Sequence, residues 1–223
     1  MQPGSICTIQ NDSSISQGVC EELPGPLLAL PNPIKGLLEY VLVIQPANDI
    51  YNKVAIEKEN FHLQYMQKKQ APKSSTILVA GFLAKESMEE TLIRWIQRIC
   101  SLQKSFTVTL NNYSGFPPHT IYLRVQDHEP FRKLAQQLKI INEYIQSNGC
   151  PEVSLVTKPY LSIAKQLPEK VYEKAMLDYS QRLFFETFKA GELVLLRKSD
   201  DINSCKLVNV FRMLPNEDNV VNQ

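Results

Sequence analysis

Two stretches of this 223-residue chain place hydroxyl groups two residues apart in strand-forming sequence. The first reads Ser74-Ser75-Thr76-Ile77-Leu78-Val79-Ala80, and the second reads Tyr160-Leu161-Ser162-Ile163-Ala164 between Lys158 and Lys165. Alternate residues of a strand share a face. Ser74, Thr76 and Leu78 therefore belong together, as do Tyr160 and Ser162. Hydroxyls donate hydrogen bonds to a phosphate, the lysines add charge, and a tyrosine ring stacks on a base. None of these groups is a base at neutral pH. A tyrosine, with an ordinary pKa of about 10, is at best a weak acid. The chemistry on offer is binding rather than proton transfer.

The histidines do not supply what these strands lack. His119-Thr120 is followed by Ile121, so no hydroxyl stands two positions on, and His119 reads as the start of a strand. His62 falls on a polar helix face and His128 in a turn, both expected in solvent. Glu89-Glu90 and Asp200-Asp201 read as solvated charge. The sequence has no GxxxxGK[ST], GxGxxG, HExxH or GxSxG pattern.

The net charge of +1 gives no global field towards nucleic acid. Cys7, Cys20, Cys100, Cys150 and Cys205 are odd in number and never spaced CxxC. With three histidines in all, they argue against a metal site and for reduced thiols in a cytoplasmic protein. No apolar run approaches the roughly 18 residues that cross a bilayer. Met1 to Asn11 lacks a basic residue before a hydrophobic stretch, so it does not read as a secretory signal.

The elements that must position the two strands can be read from periodicity. Residues 1–37 hold five of fourteen prolines and four of eight glycines, and read as an irregular or partly disordered arm. The body, 38–215, starts with a buried strand from Tyr40 to Gln45 and a helix from Asn48 to about Gln70. The first motif strand, Ile77 to Phe82, precedes a helix from Ser87 to Cys100, with a capping box at Ser87 and Glu90. Strands at Phe106–Leu110 and Ile121–Val125 flank a turn at Ser114–Pro118. A helix spans Pro130 to Ser147, with Gly149 as its stop. The second motif strand, Tyr160 to Lys165, leads into a helix opened by Pro168 and two closing strands, Glu192–Arg197 and Lys206–Leu214. Residues 216–223 form a polar, loose tail. The halves share one order: motif strand, helix, strand, turn, strand. This predicts an α+β sandwich with sheets facing across a cleft.

This layout resembles the two-histidine phosphoesterases, the superfamily of 2′-5′ RNA ligases and cyclic nucleotide phosphodiesterases. The resemblance implies two pseudo-symmetric lobes, with antiparallel sheets facing a central groove and helices outside; in that family each lobe donates a His-φ-Thr/Ser-φ strand to the groove, φ being apolar. Pro159 to Lys165 matches the second motif, with Tyr160 where histidine is expected. Gly115 to Leu123 is similar to the strand between the motifs. The first motif admits two registers. Anchored on Ala80-Gly81-Phe82, Thr76 takes the histidine place and Leu78 the hydroxyl place. Anchored on the hydroxyl, Ser74 takes the histidine place. Neither has a histidine.

In that family one imidazole takes a proton from the attacking oxygen and the other gives one to the leaving oxygen. The resemblance therefore implies a degenerate, non-catalytic groove that needs no cofactor and has no catalytic residues. Ser74, Thr76, Tyr160, Ser162, Lys158 and Lys165 are its ligand-binding positions. The partner implied is a nucleotide, a cyclic nucleotide or an RNA terminus, with no membrane involved. Two alternatives stand beside this. One is an active ligase or phosphodiesterase using substitutes such as His119 or Tyr160. The other is a scaffold that acts through protein contacts.

Overall fold

The apolar runs become two sheets with helices on one side of each. The computed structural model describes residues 36–66, 75–198 and 204–216, with the backbone of Cys7–Gln10 and Val19–Cys20. The strands are β1 (Cys7–Gln10), β2 (Val19–Cys20), β3 (Leu38–Ile44), β4 (Ile77–Ala84), β5 (Phe106–Phe116), β6 (Thr120–Val125), β7 (Ser154–Leu155), β8 (Tyr160–Ala164), β9 (Phe185–Ala190), β10 (Glu192–Lys198) and β11 (Ser204–Arg212). The helices are α1 (Asn48–Phe61), α2 (Glu89–Cys100), α3 (Glu129–Ser147) and α4 (Glu169–Tyr179). One sheet has the order β2-β1-β11-β10-β3-β4-β7 and the other β8-β6-β5-β9. All pairings are antiparallel except β1 with β11. The two-lobed α+β architecture expected from the sequence is the one observed.

The lobes interleave. The hairpin β5–β6 follows β4 in sequence but pairs with β8 through β6, and the hairpin β10–β11 follows β8 but pairs with β3 through β10. The helices cross over too: α2 and α3 pack on the seven-stranded sheet, α1 and α4 on the four-stranded one. The second motif strand, β8, is therefore held by β6 from the first half of the chain, while β4 is held by its sequence predecessor β3.

Sequence spacing explains which faces are buried. In α2, Leu92, Ile96 and Cys100 recur at four-residue intervals and point inward. Pro130 sits in the first turn of α3, which buries Phe131, Leu134, Leu138, Ile141 and Ile145. Gly149 follows that helix at φ 75°, a conformation glycine adopts without steric cost. The helix face of the large sheet contributes Tyr40, Leu42, Phe82, Leu195 and Phe211 to this core. The helix face of the small sheet contributes Val108, Leu110, Leu123 and Leu161. Tyr40 stacks on Phe82 at 5.4 Å and donates its hydroxyl to Glu89 Oε2 at 2.8 Å. Arg197 reaches the same carboxylate at 3.1 Å, tying α2 to β3 and β10.

Several elements differ from the sequence reading. The capping box is not formed: the N-cap of α2 is Met88, with no side-chain cap bond, and Glu90 pairs with Arg94 at 3.0 Å. A 3₁₀ turn at Glu86–Met88 takes over the entry, with Met88 N–H donating to the Lys85 carbonyl at 3.0 Å. The first helix ends at Phe61 and passes into a π-helical turn, His62–Met66. β5 runs on through Ser114 to Phe116, so the turn lies at 117–119. β9 was not foreseen. Its phenylalanines, Phe185 and Phe188, fall on opposite faces and hide the alternation, leaving Phe185 exposed and Phe188 buried. The proposed arm and tail lie mostly outside the described residues, and Asn216 N–H donates to Ser105 Oγ at 3.0 Å.

Phe211 is fully buried on β11. Phe211→Ala should lower stability by about 3–5 kcal/mol, the usual cost of emptying an aromatic core position. Urea unfolding followed by circular dichroism measures it.

Candidate functional site

Each motif strand carries a β-bulge at the same place. Opposite β3, the register shifts so that Val43 pairs with Leu78 and Leu42 with Ala80, leaving Val79 as the extra residue. Opposite β6, Tyr122 pairs with Ser162 and Ile121 with Ala164, leaving Ile163 as the extra residue. Superposing the bulges equates Leu78 with Ser162 and Thr76 with Tyr160. This favours the register anchored on Ala80. Thr76 and Leu78 remain on one face, because the irregularity comes after them. Ser74 lies outside the described residues. Neither β4 nor β8 contains a histidine.

The two strands approach each other where the sheets meet, yet the faces they turn away from the helices are chemically unlike. Leu78 is half-buried against Val43, Val194, Leu196 and Cys205, all at most 5% exposed. On this side the hydroxyl place of the motif is an isobutyl group in an apolar patch. Thr76, half-buried, is the polar motif residue left on that strand.

The small sheet offers the polar half. Tyr160 is half-buried, and its ring centroid lies 4.9 Å from that of Tyr122 and 5.2 Å from that of Phe116. Phe116 stacks on Tyr122 at 4.5 Å and is 43% exposed, so an aromatic surface faces outward beside the strand. Ser162 lies opposite Tyr122 in the ladder and is 3% exposed. Lys158 is exposed before β8 and Lys165 half-buried directly after it. The structure thus groups Tyr160 and Ser162 with Phe116 and Tyr122, which sequence reading left out of the site. The available signal was Tyr122, a polar residue alternating with Ile121 and Leu123.

Burial, with a smaller contribution from Tyr122, pushes the Tyr160 phenol up to about 12. It is therefore neutral at physiological pH and serves as a hydrogen-bond donor rather than a base. One cation was not foreseen, Lys58. It occupies an inward position of α1 between Val54 and Phe61 and is fully buried. Burial, and then Lys165, holds its ammonium well below the usual lysine range. The Ile50, Val54, Phe61 spacing marks that helix face, and Lys58 falls on it.

Of the histidines, His119 sits exposed in the turn before β6, its Nδ1 3.0 Å from the Thr120 hydroxyl. His62 corrects the sequence reading: both ring nitrogens are buried and the ring lies edge-on to Phe61 at 6.0 Å.

A family model described as the 2′-5′ RNA ligase superfamily matches residues 76–202. No curated protein matches the sequence. Among solved structures, E. coli LigT complexed with 3′-AMP superposes with a TM-score of 0.57 at 14% identity, covering 79% of this chain and 98% of that one. E. coli LigT in apo form gives 0.54 at 14% identity, over 80% and 98%. A Thermus thermophilus protein gives 0.58 at 13% identity, over 80% and 99%.

The raised Tyr160 pKa has a consequence for stability. An unfolded tyrosine ionises near 10, whereas this one ionises near 12. Its contribution is complete below pH 10 and is lost as pH rises towards 12. Tyr160→Phe should remove part of that alkaline loss, measured as the difference in unfolding midpoint between pH 9 and pH 11.

Proposed function

Because this chain belongs to the 2′-5′ RNA ligase superfamily, we propose that it binds a nucleotide or an RNA terminus in the groove between its lobes without turning it over. The observation that carries this reading is the cluster of Phe116, Tyr122 and Tyr160 around the buried Ser162 hydroxyl. Aromatic rings give a base a stacking surface worth about 1–3 kcal/mol. Ser162 and the neutral Tyr160 phenol donate to phosphate oxygens. Lys158 and Lys165 supply charge. Thr76 stands on the opposite wall as the polar position of the first motif among the described residues. E. coli LigT has been captured with 3′-AMP, ATP and phosphate, which supports a ligand of this class.

The same residues argue against catalysis. The family's reaction uses an acid and a base, each worth about 10²–10⁴ in rate. With a threonine at one motif position and a desolvated phenol at the other, both contributions are missing. Losing them together removes roughly 10⁴–10⁸. A cytoplasmic location goes with this reading. No helix among the described residues is long and apolar enough to cross a membrane.

The apolar patch around Leu78 favours a second reading, in which the groove has lost its ligand and the fold serves as a scaffold for protein contacts. Titration calorimetry with 3′-AMP and a hydrolysis assay with 2′,3′-cyclic AMP separate the readings. The proposal expects binding, no detectable turnover, and a Tyr160→Ala variant that binds about 5–150-fold more weakly. Turnover that Tyr160→Phe abolishes would establish an active enzyme, and absence of binding at millimolar ligand would favour the scaffold.

A further inference from the structure

On the outer side of the large sheet, away from the groove, α2 and α3 part to form a cavity of about 610 Å³. Its apolar floor is Trp95, Ile99, Leu102 and Ile140, and Arg94, Arg98 and Gln137 stand among its lining. Leu102 is 72% exposed and Ile140 is 42% exposed, which is unusual for large aliphatic residues side by side. Arg94 is paired with Glu90. Arg98 has no ion pair among the described residues. The cavity therefore suits a short peptide segment that is acidic at one end and aliphatic at the other.

The sequence carries such a segment immediately after Asn216. Beyond β11 the backbone is pinned to the loop after α2. Leu214 N–H donates to the Gln103 carbonyl at 2.9 Å, Ser105 N–H to the Leu214 carbonyl at 2.8 Å, and Asn216 N–H to Ser105 Oγ at 3.0 Å. Leu102, at the edge of the cavity, immediately precedes this anchor. The next residues are Glu217-Asp218-Asn219-Val220-Val221. From Leu102 back to Arg94 the helix rises about 12 Å, at ~1.5 Å per residue. Five extended residues reach about 16 Å, so the segment is long enough to run along the cavity from its anchored end.

We propose that residues 217–221 dock in the cavity between α2 and α3, with Glu217 and Asp218 against Arg98 and Val220 and Val221 on the Trp95, Ile99, Leu102 and Ile140 floor. Exposed ion pairs contribute little, about 0.2–1 kcal/mol. The valines supply most of the attraction by leaving water for the apolar floor. The site is distinct from the groove and owes nothing to the nucleotide-binding reading.

Trp95 is the single tryptophan of the chain, so its fluorescence reports on this cavity alone. In the full chain, Val220→Ser with Val221→Ser should shift its emission to the red and increase acrylamide quenching. A synthetic peptide of residues 216–223 added to that variant should reverse both changes. Arg98→Glu should weaken peptide binding about two- to fivefold, the range for an exposed ion pair. A peptide with Asp218→Arg should recover that loss on Arg98→Glu. Unchanged emission and quenching in the double valine variant would overturn the proposal. So would a wild-type signal that depends on protein concentration, which would place the segment on a second copy.

Discussion

The bulges in β4 and β8 are the constraint on which the site depends. A strand alternates its faces strictly, so one extra residue decides which side chains reach the groove and which reach the core. In β8 alternation puts Tyr160 and Ser162 on the groove face, and the bulge at Ile163 that follows turns Ala164 to the buried side with Ile163. In β4 Thr76 and Leu78 share one face by alternation, and the bulge at Val79 that follows turns Ala80 and Phe82 towards the helices with Val79. The near-symmetry of the backbone makes the asymmetry of the chemistry plain: Ser162 in one strand corresponds to Leu78 in the other.

That asymmetry divides the groove into a polar half and an apolar half. A reaction that needs a proton accepted on one side and donated on the other requires functional groups from both strands. Here one strand presents an isobutyl group surrounded by valines and leucines, and the other a phenol that stays protonated well above neutral pH. Binding is less demanding, because stacking and hydrogen bonds from a single sheet suffice. Lys165, directly after β8, brings positive charge to the same half.

Much of this was legible in the sequence. The motif strands, α2, α3 and the two-lobed plan follow from periods of 2 and 3.6 and from proline and glycine punctuation. The interleaving of the lobes was not legible, because pairing partners are set by long-range packing that no local pattern encodes. The capping box failed because Ser87 entered a 3₁₀ turn instead of standing as the N-cap. β9 was hidden by two phenylalanines on opposite faces. At the site, the parity of Tyr160 and Ser162 was clear from alternation. The participation of Phe116 was not, because Gly115 and Pro117 around it read as a turn. Lys58 escaped notice because a lysine on an apolar helix face looks like an interruption until its burial is known.

The central claim is that the four-stranded sheet, not the apolar face of the large sheet, holds the ligand. A crystal structure of the protein soaked with 3′-AMP tests this most directly. The account predicts a base against the aromatic surface of Phe116, Tyr122 and Tyr160, and a phosphate near Ser162 and Lys165. A nucleotide bound elsewhere, with that sheet face bare, would contradict it.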